Sequence, residues 1–214
     1  VAALLAADPP PDPAAVNTDG ATALVLALLN APSVVRQLIK AGAPVNARMP
    51  GGWTVLMEAA HRGLMGHLDA LLDADANVHA VADDGTTALL AGADATTSAS
   101  AVVRALLAAD ADPAVVGGRL RRSPLYAAAE AGLWVAVEAL LAAGAPVDTP
   151  ARDGSTPLMV AAQNGHTRVV RVLLATTARR GRPDVGRRRA RDGMTALHFA
   201  VLHSWHPIVH ALLG

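Results

Sequence analysis

Four histidines near the end of the sequence have the side chains best suited to metal chemistry. His206 and His210 are four residues apart, the spacing of two ligands on one face of a helix. The other two are His198 and His203. Pro207, however, fits the first turn of a helix, so His206 should lie at or before the start of that helix. We therefore expect no bound metal and no cofactor.

Three further patterns fall short of catalytic or metal sites. The only lysine, Lys40, does not follow the glycine-rich loop that phosphate binding requires. Glu58 and His61 have the spacing of a carboxylate-bridged metal site, but such sites need more carboxylates, and the chain has only three glutamates. Asp73 and Asp75 resemble the start of a calcium loop that lacks its glycine and its final glutamate. We expect no enzyme.

The composition is that of an ordered protein with a core of small aliphatic side chains. Of the 214 residues, 52% are apolar and 17% are charged, whereas only 2% are aromatic. The absence of cysteine excludes disulfides and cysteine-ligated metals. No apolar run approaches the roughly 20 residues of a membrane span. We expect an intracellular protein, in the cytoplasm or alternatively in the nucleus.

The segment 152–178 predicts a turn, a short helix, a second turn and a second short helix. Asp153-Gly154 favours a tight turn, and Thr156 followed by Pro157 is typical of a helix start. Asn164-Gly165 favours the end of that helix. Helices below roughly 12 residues are marginal in water, so this unit needs copies of itself to pack against.

Five further copies share the hydroxyl residue at the predicted helix start. The six hydroxyl residues are Thr22, Thr54, Thr87, Ser123, Thr156 and Thr195. Their spacing is 32 to 39 residues, and the cores that follow read TALV, TVLM, TALL, SPLY, TPLM and TALH. From about Asn17 to Gly214 the chain therefore resembles the ankyrin-repeat family. The resemblance implies an all-α ankyrin-repeat solenoid with short β-hairpin fingers, in which His198 has a structural hydrogen-bonding role.

The same register divides the chain into six repeats and a partial one. Residues 1–16 look like the second helix of a preceding repeat. The predicted repeats span 17–46, 47–80, 81–115, 116–149, 150–186 and 187–214. Solenoid ends need polar caps, and neither end is polar. We therefore expect a segment of a longer protein, or ends that something else covers.

The third repeat departs most from the pattern. Gly92 falls inside its first predicted helix, where glycine costs roughly 1 kcal/mol relative to alanine. Thr96-Thr97-Ser98 replaces the glycine turn. We expect this repeat to be the least stable and to act as a hinge, with amide hydrogen exchange over 88–101 faster than in the other first helices.

The resemblance also implies a function, because ankyrin domains bind proteins through their concave face and hairpin tips. We expect a protein–protein interaction scaffold or adaptor, with a protein partner and no small-molecule substrate. The implied contact residues are Trp53, His61, Arg62, Asp84, Thr86, Arg122, Glu130, Asp153, Ser155, Gln163, Asn164, Asp192, Met194 and His203. Trp53 lies at a predicted finger tip with little to bury it, which favours a binding hot spot. The alternative is that Trp53 packs on the neighbouring finger.

An arginine-rich loop precedes the sixth repeat. Its seven arginines are Arg179, Arg180, Arg182, Arg187, Arg188, Arg189 and Arg191. The loop is either a solvated finger, a contact for an anionic partner, or a nuclear-localisation-like signal. Polyanion binding through 179–191 is the alternative function, although the loop has no aromatic residue to stack on bases. Residues 1–115 carry 5 basic and 12 acidic side chains, and residues 116–214 carry 13 and 6, so one half is acidic and the other basic.

Overall fold

Each repeat begins its first helix at the predicted hydroxyl residue. The computed structural model describes residues 12–95, 98–176 and 181–214. In all six repeats the Thr or Ser side-chain oxygen accepts a hydrogen bond of 3.1 to 3.4 Å from the backbone N–H three residues later. This bond satisfies one of the backbone donors that a helix start leaves unpaired. The six predicted helix starts are confirmed.

The described residues contain twelve α-helices that alternate between two layers. The first helices of the repeats are α1 (Ala23–Leu26), α3 (Val55–His61), α5 (Ala88–Ala93), α7 (Pro124–Glu130), α9 (Pro157–Gln163) and α11 (Ala196–Leu202). The second helices are α2 (Pro32–Lys40), α4 (Met65–Leu72), α6 (Ala99–Ala108), α8 (Trp134–Ala142), α10 (Thr167–Ala175) and α12 (His206–Leu213). Short 3-10 turns cover Ala27–Leu29 and Pro50–Gly52.

Each helix packs on its counterpart in the next repeat, so two parallel rows of helices form a solenoid. The first helices approach closely because their facing positions carry alanine, and Ala59, Ala60, Ala161 and Ala162 are fully buried. Leucines such as Leu140 fill the space between the rows. The all-α solenoid is confirmed.

A hairpin finger precedes each first helix. We number the fingers by repeat: finger 1 (16–22), finger 2 (48–54), finger 3 (81–87), finger 4 (117–122), finger 5 (151–155) and finger 6 (189–194). Single antiparallel bridges close fingers 1 to 4. In fingers 5 and 6 a backbone N–H bonds to the carbonyl oxygen across the turn, from Ala151 to Ser155 and from Arg189 to Met194.

Hydrogen bonds between backbones join fingers 2 to 5 in a row. The N–H of Asp83 donates to the Gly51 oxygen at 3.0 Å, and Arg152 N–H donates to the Leu120 oxygen at 2.8 Å. Between fingers 3 and 4 the N–H of Gly118 donates to the Asp84 oxygen at 3.0 Å. These hydrogen bonds therefore fix the positions of the finger tips relative to one another.

The role of Gly92 differs from the sequence-based interpretation. Gly92 is buried in α5, and a Cβ atom added to it would lie 2.5 Å from the Val102 Cγ1 of α6. Glycine therefore lets the two helices of the third repeat approach closely. Its low helix propensity is accompanied by this gain in packing between α5 and α6. Thr96 and Thr97 lie outside the described residues. The low stability and hinge role of this repeat stay a prediction.

Apolar side chains are exposed on the first and sixth repeats. Leu29 at one end and Val201, Leu202 and Leu213 at the other are at least 60% exposed. The predicted partial repeat falls largely on residues 1–11, outside the described residues. The repeat boundaries stay a prediction. In the described part of the chain, no helix is long and apolar enough to cross a membrane.

Candidate functional site

A groove of about 240 Å³ lies between fingers 2 to 4 and the first helices α3 and α5. Its lining includes the predicted contact residues Trp53, His61, Asp84, Thr86 and Arg122. The Trp53 ring meets the His61 ring edge-on, with 5.8 Å between centroids and 87° between planes. Trp53 also packs against the core, so it is half-buried. The expectation that little would bury Trp53 is therefore wrong, but its ring still borders the groove.

A second groove of about 450 Å³ continues the first toward finger 6. Leu120 and Arg122 line both grooves, so the two are adjacent. We call the pair the concave groove. Of the predicted contact residues, the second part collects Glu130, Asp153, Ser155, Gln163 and Asn164.

Arg122 stands where the two parts of the concave groove meet. Its guanidinium donates to the Asp94 carboxylate at 2.7 Å and to the Glu130 carboxylate. Burial raises the pKa of Asp94, while the charge of Arg122 opposes that rise. The side chain of Arg122 is 23% exposed, so this pairing is partly screened from water. Arg122 therefore joins the third and fourth repeats through charge.

We expect Arg122→Met to lower the free energy of unfolding by about 1–2 kcal/mol at neutral pH, because it leaves Asp94 charged and half-buried without its partner. A group with a raised pKa favours the folded state below its unfolded pKa and loses that contribution as pH rises. The loss caused by Arg122→Met should therefore shrink as pH falls and Asp94 takes up a proton. Urea unfolding at neutral and acidic pH measures this difference.

The matched control is Arg62→Met, because the Arg62 side chain is 44% exposed, against 23% for Arg122, and its ion pair with Glu58 lies within one helical turn. Such a pair contributes only about 0.3–0.5 kcal/mol. An equal loss in both variants, or a loss in Arg122→Met that does not depend on pH, would show that the charge of Arg122 is not what joins the repeats.

Aspartates fix the backbone of fingers 3, 5 and 6 in the same way. The carboxylates of Asp84, Asp153 and Asp192 accept hydrogen bonds of 2.9 to 3.1 Å from the N–H two residues on. The hydrogen bonds from Thr86 lower the pKa of Asp84. Burial acts in the opposite direction at Asp153, but the bonds from Ser155 still lower its pKa. The bond from Arg189 lowers the pKa of Asp192 to about 2.

Two predicted contact residues shape the fingers instead of facing outward. Thr86 and Ser155 are only 7% and 3% exposed. The Ser155 hydroxyl donates to its own finger's Asp153 carboxylate at 2.7 Å. Thr86 and Ser155 therefore expose little of their side chains at the groove lining, and their role as partner contacts stays a prediction.

Four predicted contact residues lie outside the lining of the concave groove. Arg62 pairs with Glu58 beyond the end of α3. Asp192 pairs with Arg189, and Met194 borders a separate apolar hollow on α11. His203 is exposed, and its ring Nδ1 lies 3.0 Å from the Phe199 oxygen. Apart from Arg62, the groove lining thus gathers the predicted contact residues of the second to fifth repeats, whereas those of the sixth lie outside it.

Tyr126 is a groove residue that the sequence analysis missed. It lies in α7 beneath fingers 4 and 5, and is only 7% exposed. Burial raises the pKa of the Tyr126 phenol to about 12. A tyrosine hydroxyl is protonated at neutral pH with its ordinary pKa already, and this hydroxyl is within hydrogen-bond reach of the Ser155 side chain. The position of Tyr126, three residues after the N-cap Ser123, could have indicated its burial. The residue at this position is buried in the first helices of repeats two to five, but not in those of repeats one and six.

The described arginines of the loop before finger 6 are partly engaged within the protein. Arg189 pairs with Asp192, lies 3.7 Å from the Asp153 carboxylate and stacks over the Phe199 ring. Arg187 donates to the Asp148 oxygen at 3.3 Å, and Arg188 donates to the Gly193 oxygen at 3.5 Å. Arg179 and Arg180 lie outside the described residues. These contacts reduce the number of arginines that could meet an anion.

The four late histidines do not converge. His198 completes the helix cap of Thr195, whose N–H donates to the His198 Nδ1 at 3.1 Å. His206 is the first residue of α12, as Pro207 indicated. Across residues 12–95, 98–176 and 181–214, no group of three or more potential ligands could hold a metal ion.

Two rice proteins share segments of this sequence. Zinc finger CCCH domain-containing protein 24 from Oryza sativa subsp. japonica is 42% identical over 94 residues, which are 44% of this chain and 10% of that protein. Probable E3 ubiquitin-protein ligase XBOS32 from the same subspecies is 40% identical over 83 residues, 39% of this chain and 16% of that protein. The matched segments thus span a small part of either relative.

Solved ankyrin repeat domains superpose on nearly the whole chain. The human ASB11 domain has a TM-score of 0.75 at 26% identity, covering 90% of this chain and 83% of that one. The Bcl-3 domain, from a member of the IkappaB family, has a TM-score of 0.76 at 31% identity, covering 95% and 86%. The family description "Ankyrin repeats (3 copies)" matches residues 1–82, 27–116, 95–184 and 125–214. Family, fold and repeat pattern agree, and the chain belongs to the ankyrin-repeat family.

Proposed function

We propose that this chain is a scaffold or adaptor module that holds a protein partner in the concave groove. Ankyrin repeat domains are in general protein–protein interaction modules and typically not enzymes. The observation that carries the specific proposal is the adjacency of the two grooves, which share Leu120 and Arg122 and are lined by residues from Trp53 to Asn164. An intracellular setting remains part of the proposal.

The groove offers a partner a surface that needs little reorganisation. Backbone hydrogen bonds hold fingers 2 to 5 to one another, and aspartate turns fix fingers 3 and 5. A partner therefore loses little of its binding energy to ordering these loops. Because the fingers are fixed, the groove should select a partner segment of complementary shape.

Trp53 is the candidate hot spot within the groove. Its position edge-on to His61 fixes the ring while leaving part of it accessible. Tryptophan contributes much of the binding energy at protein interfaces, and a fixed ring loses little side-chain entropy on binding. His61 and Asp84 beside it can supply the polar contacts that orient a partner.

Affinity capture from source-cell lysate tests the proposal, with the full chain and Trp53→Ala in parallel. We expect one defined protein whose capture withstands nuclease, and whose retention at low salt falls at least about tenfold in Trp53→Ala because a hot spot contributes roughly 2 kcal/mol. The matched control is Trp134→Ala, since Trp134 lies at the start of α8 under Arg168 and does not line the concave groove.

Two results would contradict the proposal. Capture that nuclease or salt abolishes, and that does not depend on Trp53, would move the function to polyanion binding by the loop 179–191, because phosphate contacts weaken steeply with salt. Equal loss of the partner in Trp53→Ala and Trp134→Ala, with both variants folded, would show that the binding surface lies elsewhere on the solenoid.

A further inference from the structure

The second part of the concave groove carries more arginines than its acidic residues neutralise. Its charged lining comprises Arg122, Arg152, Arg189, Arg191, Glu130 and Asp153. Both acidic residues already face an arginine, Glu130 in an ion pair with Arg122 and Asp153 with Arg189. Neither carboxylate is left to neutralise Arg152 and Arg191.

Three consecutive fingers each place one such arginine along the groove. Arg119 on finger 4 lines the first part, and Arg152 on finger 5 and Arg191 on finger 6 line the second. All three are exposed, and within the described residues no carboxylate lies within 4.0 Å of any of them. Asp84 and Asp192 feel the charges of Arg119 and Arg191 only at longer range. The cations therefore form a row that repeats with the solenoid.

The floor beneath this row supplies hydrogen-bond donors. Tyr126 lines the groove but is only 7% exposed, and its hydroxyl is within hydrogen-bond reach of the Ser155 side chain. Neighbouring Asn164 is exposed and donates from its side chain to the Glu130 oxygen at 2.9 Å. An acceptor-rich ligand above these groups would find the arginines of the fingers and the second side-chain N–H of Asn164 as donors.

From these contacts we propose that the groove binds an extended acidic segment of the protein partner, with its carboxylates on Arg119, Arg152 and Arg191. This inference rests on the proposed function and names the chemistry of the ligand. Stacked helices lie about 8–10 Å apart. An extended polyproline II chain advances about 9 Å over three residues and returns to the same face. Acidic residues three apart therefore match the row of fingers.

Single-stranded nucleic acid fits this groove less well. Its binding sites combine cations with aromatic faces on which bases stack. The only aromatic side chain that lines the second part is Tyr126, and 7% exposure leaves it no free face. Carboxylates, by contrast, use the paired donors of arginine directly.

Fluorescence anisotropy with labelled synthetic peptides and the full chain tests the proposal. One peptide carries glutamate at every third position, a second has the same composition with the glutamates adjacent, and a third has glutamine instead. We expect the spaced peptide to bind at least about threefold tighter than the adjacent one, and the glutamine peptide not to bind. Arg152→Glu combined with Arg191→Glu should weaken the spaced peptide at least about tenfold, because like charges repel across the groove.

The matched control reverses two exposed arginines on second helices, Arg104→Glu with Arg171→Glu, and should leave peptide affinity within about twofold. Equal weakening in both double variants would overturn the proposal, as would an oligonucleotide that competes more strongly than the spaced peptide. If a captured partner depends on Trp53 but no acidic peptide binds, the inference fails and the proposed function stands. If the peptide binds through Arg152 and Arg191 but no capture depends on Trp53, the proposed hot spot fails instead.

Discussion

Gly117→Ala is expected to lower the free energy of unfolding by at least about 3 kcal/mol, a large effect for the addition of a single methyl group. A Cβ atom at Gly117 would lie 2.0 Å from the Gly85 carbonyl oxygen and 2.9 Å from the Thr86 nitrogen. All these atoms belong to backbone, so no side-chain rotation relieves the overlap. Fingers 3 and 4 must separate, which breaks the bond from Gly118 N–H to the Asp84 oxygen.

Two neighbouring glycines provide the controls for Gly117→Ala in urea unfolding. Gly118 has a φ of +71°, and a new Cβ would meet only the Thr86 Oγ1 at an ordinary contact distance of 3.8 Å, so Gly118→Ala should cost only the roughly 1–2 kcal/mol of a left-handed alanine. Gly186 has ordinary backbone geometry, and its nearest contact would be 3.5 Å, so Gly186→Ala should stay within about 0.5 kcal/mol of the parent. A Gly117→Ala variant as stable as Gly186→Ala would show that the fingers are not packed this closely.

The helix starts could be predicted because their chemistry is local. A hydroxyl residue before a short apolar run satisfies a backbone donor three residues away, whatever surrounds it. The close approach of Gly117 to Gly85 could not be predicted in this way. The two residues belong to different repeats, and in finger 4 the expected Asp-Gly turn is replaced by arginines. Contacts between repeats depend on how the fingers stack, which no single repeat encodes.

The candidate site was predictable to a similar extent. Repeat register places Trp53 and Arg122 at equivalent tip positions of fingers 2 and 4, and the groove contains both. Register does not reveal which side chains pair with each other. Arg122 pairs with Asp94 of the preceding repeat, and Arg189 pairs with Asp153 of the preceding finger. The number of charges in a stretch of sequence therefore does not tell which arginines have no acidic partner. The arginines without a carboxylate within 4.0 Å that line the groove are Arg119, Arg152 and Arg191, one on each of fingers 4, 5 and 6.

We expect the second large change in stability from substitutions at the contact between Gly92 and Val102. Val102→Ala should lower the free energy of unfolding by about 2 kcal/mol, because Val102 is fully buried and its loss leaves a cavity between α5 and α6. Gly92→Ala should also destabilise, by about 1 kcal/mol, although alanine favours helix over glycine by a similar amount. The reason is that Val102 is β-branched and cannot rotate away from the new methyl group.

The double variant Gly92→Ala with Val102→Ala distinguishes this packing account from helix propensity. The alanine methyl group at 92 would occupy the space that the Val102 Cγ1 atom leaves, so the combined loss should be smaller than the sum of the single losses by about 1 kcal/mol or more. Urea unfolding of the four proteins measures this coupling. Additive effects, or a Gly92→Ala variant more stable than the parent, would mean that glycine at this position only weakens α5. The third repeat would then be weak because of its sequence, as first predicted, and alanine at 92 would be the way to stabilise it.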